Sequence, residues 1–224
     1  MGLKRKIFSA LKDNIIPGLF LWFIGIALVA SYYLNESSRS LFLGIIQLKE
    51  EYGFLYSAIS TSLFGGLIPF IFMRLSGRDQ VGNSLFHGVV FVAYWALRGV
   101  DVDAFYRLQG WIFGNGVDWQ TIFFKVCVDQ FIYCVFWATP VTAGFYSLKE
   151  ADFSFGKWKK EKKGSDLVEM IIVFTVSTWL VWIPGTAIIY SLPAPLQIPL
   201  FNLTLCFFVI LVSVFSKKEK ATAE

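Results

Sequence analysis

Charge is scarce in this chain. Only 16% of its 224 residues are Asp, Glu, Lys or Arg, against about 25% in a soluble domain. Histidine occurs once, at His87, and cysteine three times. That inventory provides no metal-ligand spacing and no disulfide framework. Cys127 and Cys134 lie roughly 10 Å apart along a helix axis, too far to bridge each other. On an ideal helix both fall opposite Lys125, so they read as small packing hydrophobes. No activated nucleophile is evident, and no second carboxylate stands beside Asp129 to form a dyad, so the expectation is a protein that is not an enzyme. No cofactor is implied. The net charge of +4 sits in short runs beside apolar stretches, which signals topology and not a nucleic-acid surface.

What fills the chain is apolar. Hydrophobic residues make up 56% and the mean hydropathy is +0.60. The 24 Phe and 8 Trp suit lipid-facing surfaces and interfacial belts. The expected fold class is all-α: a polytopic integral membrane helix bundle of about six spans, with no second soluble domain.

Residues 15–34 are an uninterrupted apolar run, long enough to cross a bilayer. The run is too long for a signal peptide, so it reads as a retained span with Pro17 in its first turn. Residues 35–51 are too polar to cross. Leu41, Ile45, Ile46 and Leu48 among charged neighbours suggest a short interfacial helix. Residues 52–73 form the second span. Its Ser60-Thr-Ser and Gly65-Gly66 are small enough for close helix packing. Arg74, Arg78 and Asp79 then make a loop, and residues 81–97 the third span, with Asn83, Ser84 and His87 early in it. Arg98, Asp101, Asp103 and Arg107 form a charged patch after it. Asp118 is placed to cap the fourth span, which runs past Pro140. Ser165 or Asp166 is placed to cap the fifth. Pro184, Pro193, Pro195 and Pro199 interrupt the last apolar stretches.

Alternate sides of six spans carry unequal positive charge. One side holds Lys4, Arg5, Lys6, Lys12, Arg74, Arg78, the lysines from Lys149 to Lys163, and Lys217, Lys218 and Lys220. The other holds Arg39, Lys49, Arg98 and Arg107. The positive-inside rule places both termini on the cytoplasmic or matrix side.

The fourth span carries the anomaly. Lys125, Asp129 and Gln130 lie inside an apolar run, where each ionisable group costs about 2.5–3.5 kcal/mol on insertion scales. Asp118, Ile122, Lys125, Asp129, Tyr133, Phe136 and Pro140 fall on one helical stripe. Two readings stand. Lys125 and Asp129 can line or gate a narrow polar path, with Gln130, His87 and Thr142 as hydrogen-bonding neighbours. Alternatively they staple helices together, although Lys four residues before Asp is the weaker orientation for a pair, and Asp129 can instead meet Arg98 or a serine cluster. His87 likewise reads as a packing histidine or as part of a path.

Four segments in order resemble the Mpv-seventeen and peroxisomal-membrane-protein-twenty-two family. They are Ser60-Thr-Ser-Leu-Phe-Gly65-Gly66; the stretch 74–111 with Gly88 and Phe105-Tyr106-Arg107-Leu108; Lys125-x-x-x-Asp129-Gln130 followed by Pro140; and Trp179-Leu-Val-Trp182-Ile-Pro184 followed by Tyr190-Ser-Leu-Pro193. The resemblance covers residues 52–216. It leaves 1–51 as an added span with its interfacial helix and 217–224 as a basic tail. The sequence departs at Leu67, where the family has an aspartate, and at Ile189-Tyr190, where it has Asn-Phe.

The resemblance implies a weakly selective pore for small solutes or ions. The alternative is a non-conducting scaffold or a subunit that binds lipid or a partner. The implied membrane is a bacterial inner membrane, or a mitochondrial inner or peroxisomal one. Implied partners are the lipid bilayer, small solutes or ions and a second copy of the chain, with no nucleic acid. Gly65, Gly66, Pro140, Trp182, Pro184 and Pro193 are then packing or hinge positions.

Overall fold

The computed structural model describes residues 2–76, 85–161 and 164–222. Arg78, Asp79, Asn83, Ser84, Lys162 and Lys163 lie outside the described residues. Those described fold into helices, here named α1 (Leu3–Leu34), α2 (Glu36–Leu75), α3 (Leu85–Phe113), α4 (Trp119–Glu150), α5 (Phe155–Glu161), α6 (Gly164–Tyr190) and α7 (Ala194–Thr222). Six of these, all but α5, are long and apolar enough to cross a membrane. The protein is an all-α integral membrane bundle. Helix is the form that a hydrocarbon solvent demands, because each span satisfies its own backbone polar groups.

Local chemistry sets the ends of the elements. Asn35 caps α2 by accepting from the Ser38 N–H at 3.1 Å. Asp118 caps α4, accepting from the Thr121 N–H at 3.0 Å and the Thr121 hydroxyl at 2.7 Å. The bond from the Thr121 amide holds the Asp118 carboxyl below the usual carboxylate range. Ser165 and Asp166 already lie inside α6 and do not flank it. Pro184 does not end that helix, which continues to Tyr190. The basic residues 217–220 extend α7 without a break in the helix.

Gly53 divides α2. Its φ of 50° and ψ of −118° interrupt the helical path, in a region open mainly to glycine. The amphipathic arm before it buries Phe42, Ile45 and Ile46 against the core, while Leu41 and Leu48 stay exposed. The membrane-crossing part follows.

Two helices carry wide π turns, Ser62–Leu67 in α2 and Asp129–Ala138 in α4. Each ends just before a proline, Pro69 and Pro140. A proline ring collides with the carbonyl four residues back in an α-helix. Here the Ile68 and Thr139 N–H groups reach five residues back, to Leu63 and Cys134, so each helix passes its proline without ending.

The first span is an integral wall of the bundle. It lies along α6, with Gly18 against Val181, Gly25 against Ile188, and the Trp22 indole donating to the Val181 carbonyl at 3.0 Å. α2 packs on α3, where a Cβ on Gly99 would run into the Ser57 carbonyl oxygen. α7 touches α1, α2, α3 and α6. It joins α2 through Asn202, which accepts from the Thr61 hydroxyl at 2.7 Å and donates to the Ser60 hydroxyl oxygen at 2.9 Å. Gly65 faces Trp95 and Leu205, and Gly66 faces the Val92 backbone, so neither position has room for a side chain. Trp182 borders all three apolar clusters of the interior. Pro193 opens the turn into α7, its carbonyl accepting from the Leu196 N–H. Outward-facing Phe8, Phe23, Leu97 and Phe136 present apolar surface that a bilayer solvates.

Candidate functional site

α3 and α4 run antiparallel and meet through long side chains, with little close backbone packing. On α3 one face carries His87, Phe91, Tyr94, Arg98, Asp101, Phe105 and Gln109. The steps of three and four keep them in register on a helix. From His87 to Gln109 the rise is about 33 Å, enough to cross a hydrocarbon core of about 30 Å. The facing residues of α4 complete a polar and aromatic seam.

At the outer end of the seam is the Asp129 cluster. Asp129 is 4% exposed. Its Oδ2 accepts from the Tyr190 hydroxyl at 2.5 Å, and its Oδ1 from Gln130 Nε2 at 2.9 Å and from the Cys134 thiol at 3.5 Å. Gln109 donates to the Tyr190 oxygen at 2.7 Å and to the Lys125 carbonyl at 3.2 Å. The Gln130 carbonyl accepts from the Trp179 indole at 3.1 Å. Lys125 is buried, but it forms no ion pair with Asp129. Its ammonium instead lies 5.7 Å from the centre of the Tyr190 ring, a cation–π distance. The bonds from Tyr190, Gln130 and Cys134 take the place of that pair.

Cys134 lies beside Asp129, not on the far face. On an α-helix, residues five apart diverge by more than a quarter-turn. The π turn over Asp129–Ala138 adds a residue per turn and realigns them.

Midway along the seam, Arg98 pairs with Asp101. Asp101 also accepts from the Tyr133 hydroxyl at 2.9 Å and the Trp137 indole at 3.1 Å. Phe105 stacks on Tyr133 at 3.9 Å and Tyr94 on Phe145 at 3.8 Å. Arg98 is buried, its Nε has no hydrogen-bond partner, and the Asp101 side chain is 30% exposed. Further inward the Tyr94 hydroxyl donates to Thr142 Oγ1 at 2.9 Å. Lys149 lies over the Phe91 ring at 5.2 Å. At the inner end His87 Nε2 stands 3.7 Å from Asp152, and Phe153 covers the imidazole at 5.3 Å. Asp152 and Phe153 both adopt positive φ, 54° and 55°.

Lys125, Asp129 and Gln130 therefore sit together, while Thr142 and His87 lie at successive depths on the same seam. Sequence reasoning missed Tyr190 as the partner of Asp129, and Gln109 as the donor to Tyr190. For Gln109 a signal existed, the regular spacing from His87. It also treated Arg98 and Asp101 as part of an external patch, whereas they occupy the middle of the seam.

A second buried charge cluster lies apart, beneath the Gly53 break. Lys49, 5% exposed, donates to Asp103 at 2.6 Å and to the Gly53 carbonyl at 3.1 Å. Ser57 and Arg107 donate to the same carboxylate at 2.8 and 3.2 Å. Lys49 is thus an internal group and not a loop charge. Its place is on the buried face of the arm, one step beyond Phe42, Ile45 and Ile46. It anchors the arm to Asp103 and to the Gly53 carbonyl at the break.

Compared with models of protein families, with curated proteins and with solved structures, the chain matches none.

Proposed function

We propose that this integral membrane protein is a channel for small solutes or ions whose path follows the α3–α4 seam. The observation that carries the reading is the series of polar and ionisable side chains, interleaved with aromatic rings, that crosses the membrane from His87 and Asp152 through Arg98 and Asp101 to Asp129 and Gln109. Groups of this kind are rare at membrane depth and mark solute and ion paths there. The conformation described is a closed one. The stacked rings and the Arg98–Asp101 pair fill the seam at its middle. Opening requires these side chains to swing, not the backbone to unfold. Resemblance to the Mpv-seventeen and peroxisomal-membrane-protein-twenty-two family supports the same reading, and with it an inner or organellar membrane and a non-enzymatic role.

The competing reading, a non-conducting scaffold, draws on the bonding of Asp129, both of whose oxygens have partners inside the protein. Reconstitution separates the two. Purified protein in a planar bilayer should pass current, with Arg98→Gln shifting preference toward cations and Asp101→Asn toward anions. Thermal unfolding of each variant in detergent establishes that it is folded. Folded wild-type protein that passes neither ions nor small solutes in sealed vesicles would leave the scaffold reading.

A further inference from the structure

A cavity of about 510 Å³ opens between α1, α6 and α7. Along α6 its lining follows one helical face in steps of three and four, and the chemistry of that face changes with depth. Glu169 lies at the mouth, where Lys6 Nζ stands 2.7 Å from its Oε1 and both side chains are partly exposed. Met170, Val173 and Phe174 form the next stretch of wall, joined by Phe208 of α7. Ser177 and Thr178 then line the floor together with Asn14 of α1. From Glu169 to Ser177 the rise is about 12 Å.

The floor accepts hydrogen bonds and offers none. Asn14 is 7% exposed. Both hydrogens of its amide nitrogen are taken, by the Ala10 carbonyl at 2.9 Å and the Ser177 carbonyl at 3.3 Å. Its Oδ1 has no hydrogen-bond partner among the described residues. The single hydroxyl hydrogens of Ser177 and Thr178 are taken by the Phe174 carbonyl, at 3.0 and 2.8 Å. Each hydroxyl oxygen keeps the capacity to accept.

A buried acceptor without a donor is costly, so the floor calls for a ligand that brings hydrogens. Water alone would satisfy the floor but would wet the apolar wall above it. A molecule with a donor head and an apolar body satisfies both. Alcohols and carboxamides carry acceptors that would face the floor's own oxygens. A primary ammonium has three donors and no acceptor. We propose that the cavity binds a small organic amine in its protonated form, with the ammonium at Asn14, Ser177 and Thr178 and the apolar body against Val173, Phe174 and Phe208. A zwitterionic headgroup would bring phosphate oxygens to the same acceptor-only floor, so the ligand is a free amine and not a lipid. The site shares no residue with the α3–α4 seam.

The test uses the full chain purified in detergent and titrated calorimetrically with four probes. These are phenethylammonium, its N,N,N-trimethyl derivative (the same charge and body without an N–H), phenylpropionate and phosphoethanolamine. Phenethylammonium should bind roughly tenfold more tightly than the trimethyl derivative, the scale of one charge-assisted hydrogen bond. The two anion-bearing probes should not bind. Ser177→Ala combined with Thr178→Val removes two acceptors with little change in volume and should abolish the preference. Val173→Trp fills the cavity, leaves the floor intact and should weaken phenethylammonium binding, which guards against a floor variant that fails to fold. No binding of phenethylammonium, equal affinity for the trimethyl derivative, binding of either anion-bearing probe as tight as that of the amine, or unchanged affinity in either variant would each overturn the proposal. Conductance plays no part in the readout, so the outcome stands whether or not the seam conducts.

Discussion

At the scale of single residues, Tyr190 links the two ends of the Asp129 cluster. Its hydroxyl donates to the carboxylate and accepts from Gln109, and its ring faces the Lys125 ammonium. Tyr190→Phe keeps the ring and removes both bonds. The Asp129 carboxylate then loses a donor at a position only 4% exposed. The expected cost is about 1–3 kcal/mol, read as a lower unfolding temperature in detergent. An unchanged temperature would show that water or another side chain replaces the hydroxyl. The sequence marked Asp129 as anomalous, since a carboxylate inside an apolar run stands out. It did not mark Tyr190, because a tyrosine near the end of a span reads equally well as an interfacial anchor.

At the scale of elements, the contact between α2 and α3 sets the frame to which the seam is attached. Gly99 lets the Ser57 carbonyl and Thr61 lie directly on the α3 backbone. Gly99→Ala forces the two helices apart, because the atom in the way is main chain and cannot rotate aside. Overpacking of this kind costs about 1–3 kcal/mol. It should destabilise more than Gly144→Ala, where the added carbon meets open space; equal effects of the two would argue against a tight α2–α3 contact. The boundary near Gly53 was legible as a change from a charged, amphipathic stretch ending at Glu51 to an uncharged span beginning at Tyr52. The π turn in α4 was not, although Pro140 hinted at a disturbance. A proline can kink a helix, end it, or be absorbed by a widened turn, and only the packing around it decides which.

At the scale of the whole molecule, six crossings bring both ends of the chain to one side. The structure sharpens the charge asymmetry that sets which side. Lys49 and Arg98, counted from sequence as loop charges, are buried at 5% and 7% exposure, so the side opposite the termini retains fewer exposed basic groups than the count suggested. In a chain freed of its native cysteines, Ser37→Cys and Ser165→Cys should react with an impermeant thiol reagent from opposite sides of sealed vesicles. Reaction from the same side would refute the six-crossing topology.

The linear chain was enough to specify the membrane class, the crossings and the cap at Asp118. Those properties follow from hydropathy, from the need of each span to bond its own backbone, and from side chains three residues away. Spacing along one helix also showed that Lys125 and Asp129 share a face. Only the assembled bundle decided which helix that face meets. In water, a polar outer face and an apolar inner one would have revealed the rotation of each helix. In a bilayer the outward and inward faces are both apolar, so the pattern carries little rotational information. Tertiary structure therefore set Tyr190 against Asp129 and Lys49 against Asp103, and gathered Arg98, Asp101 and Tyr133 at the middle of the seam. Each of these contacts joins residues far apart in the chain or depends on a helix rotation that no single span records.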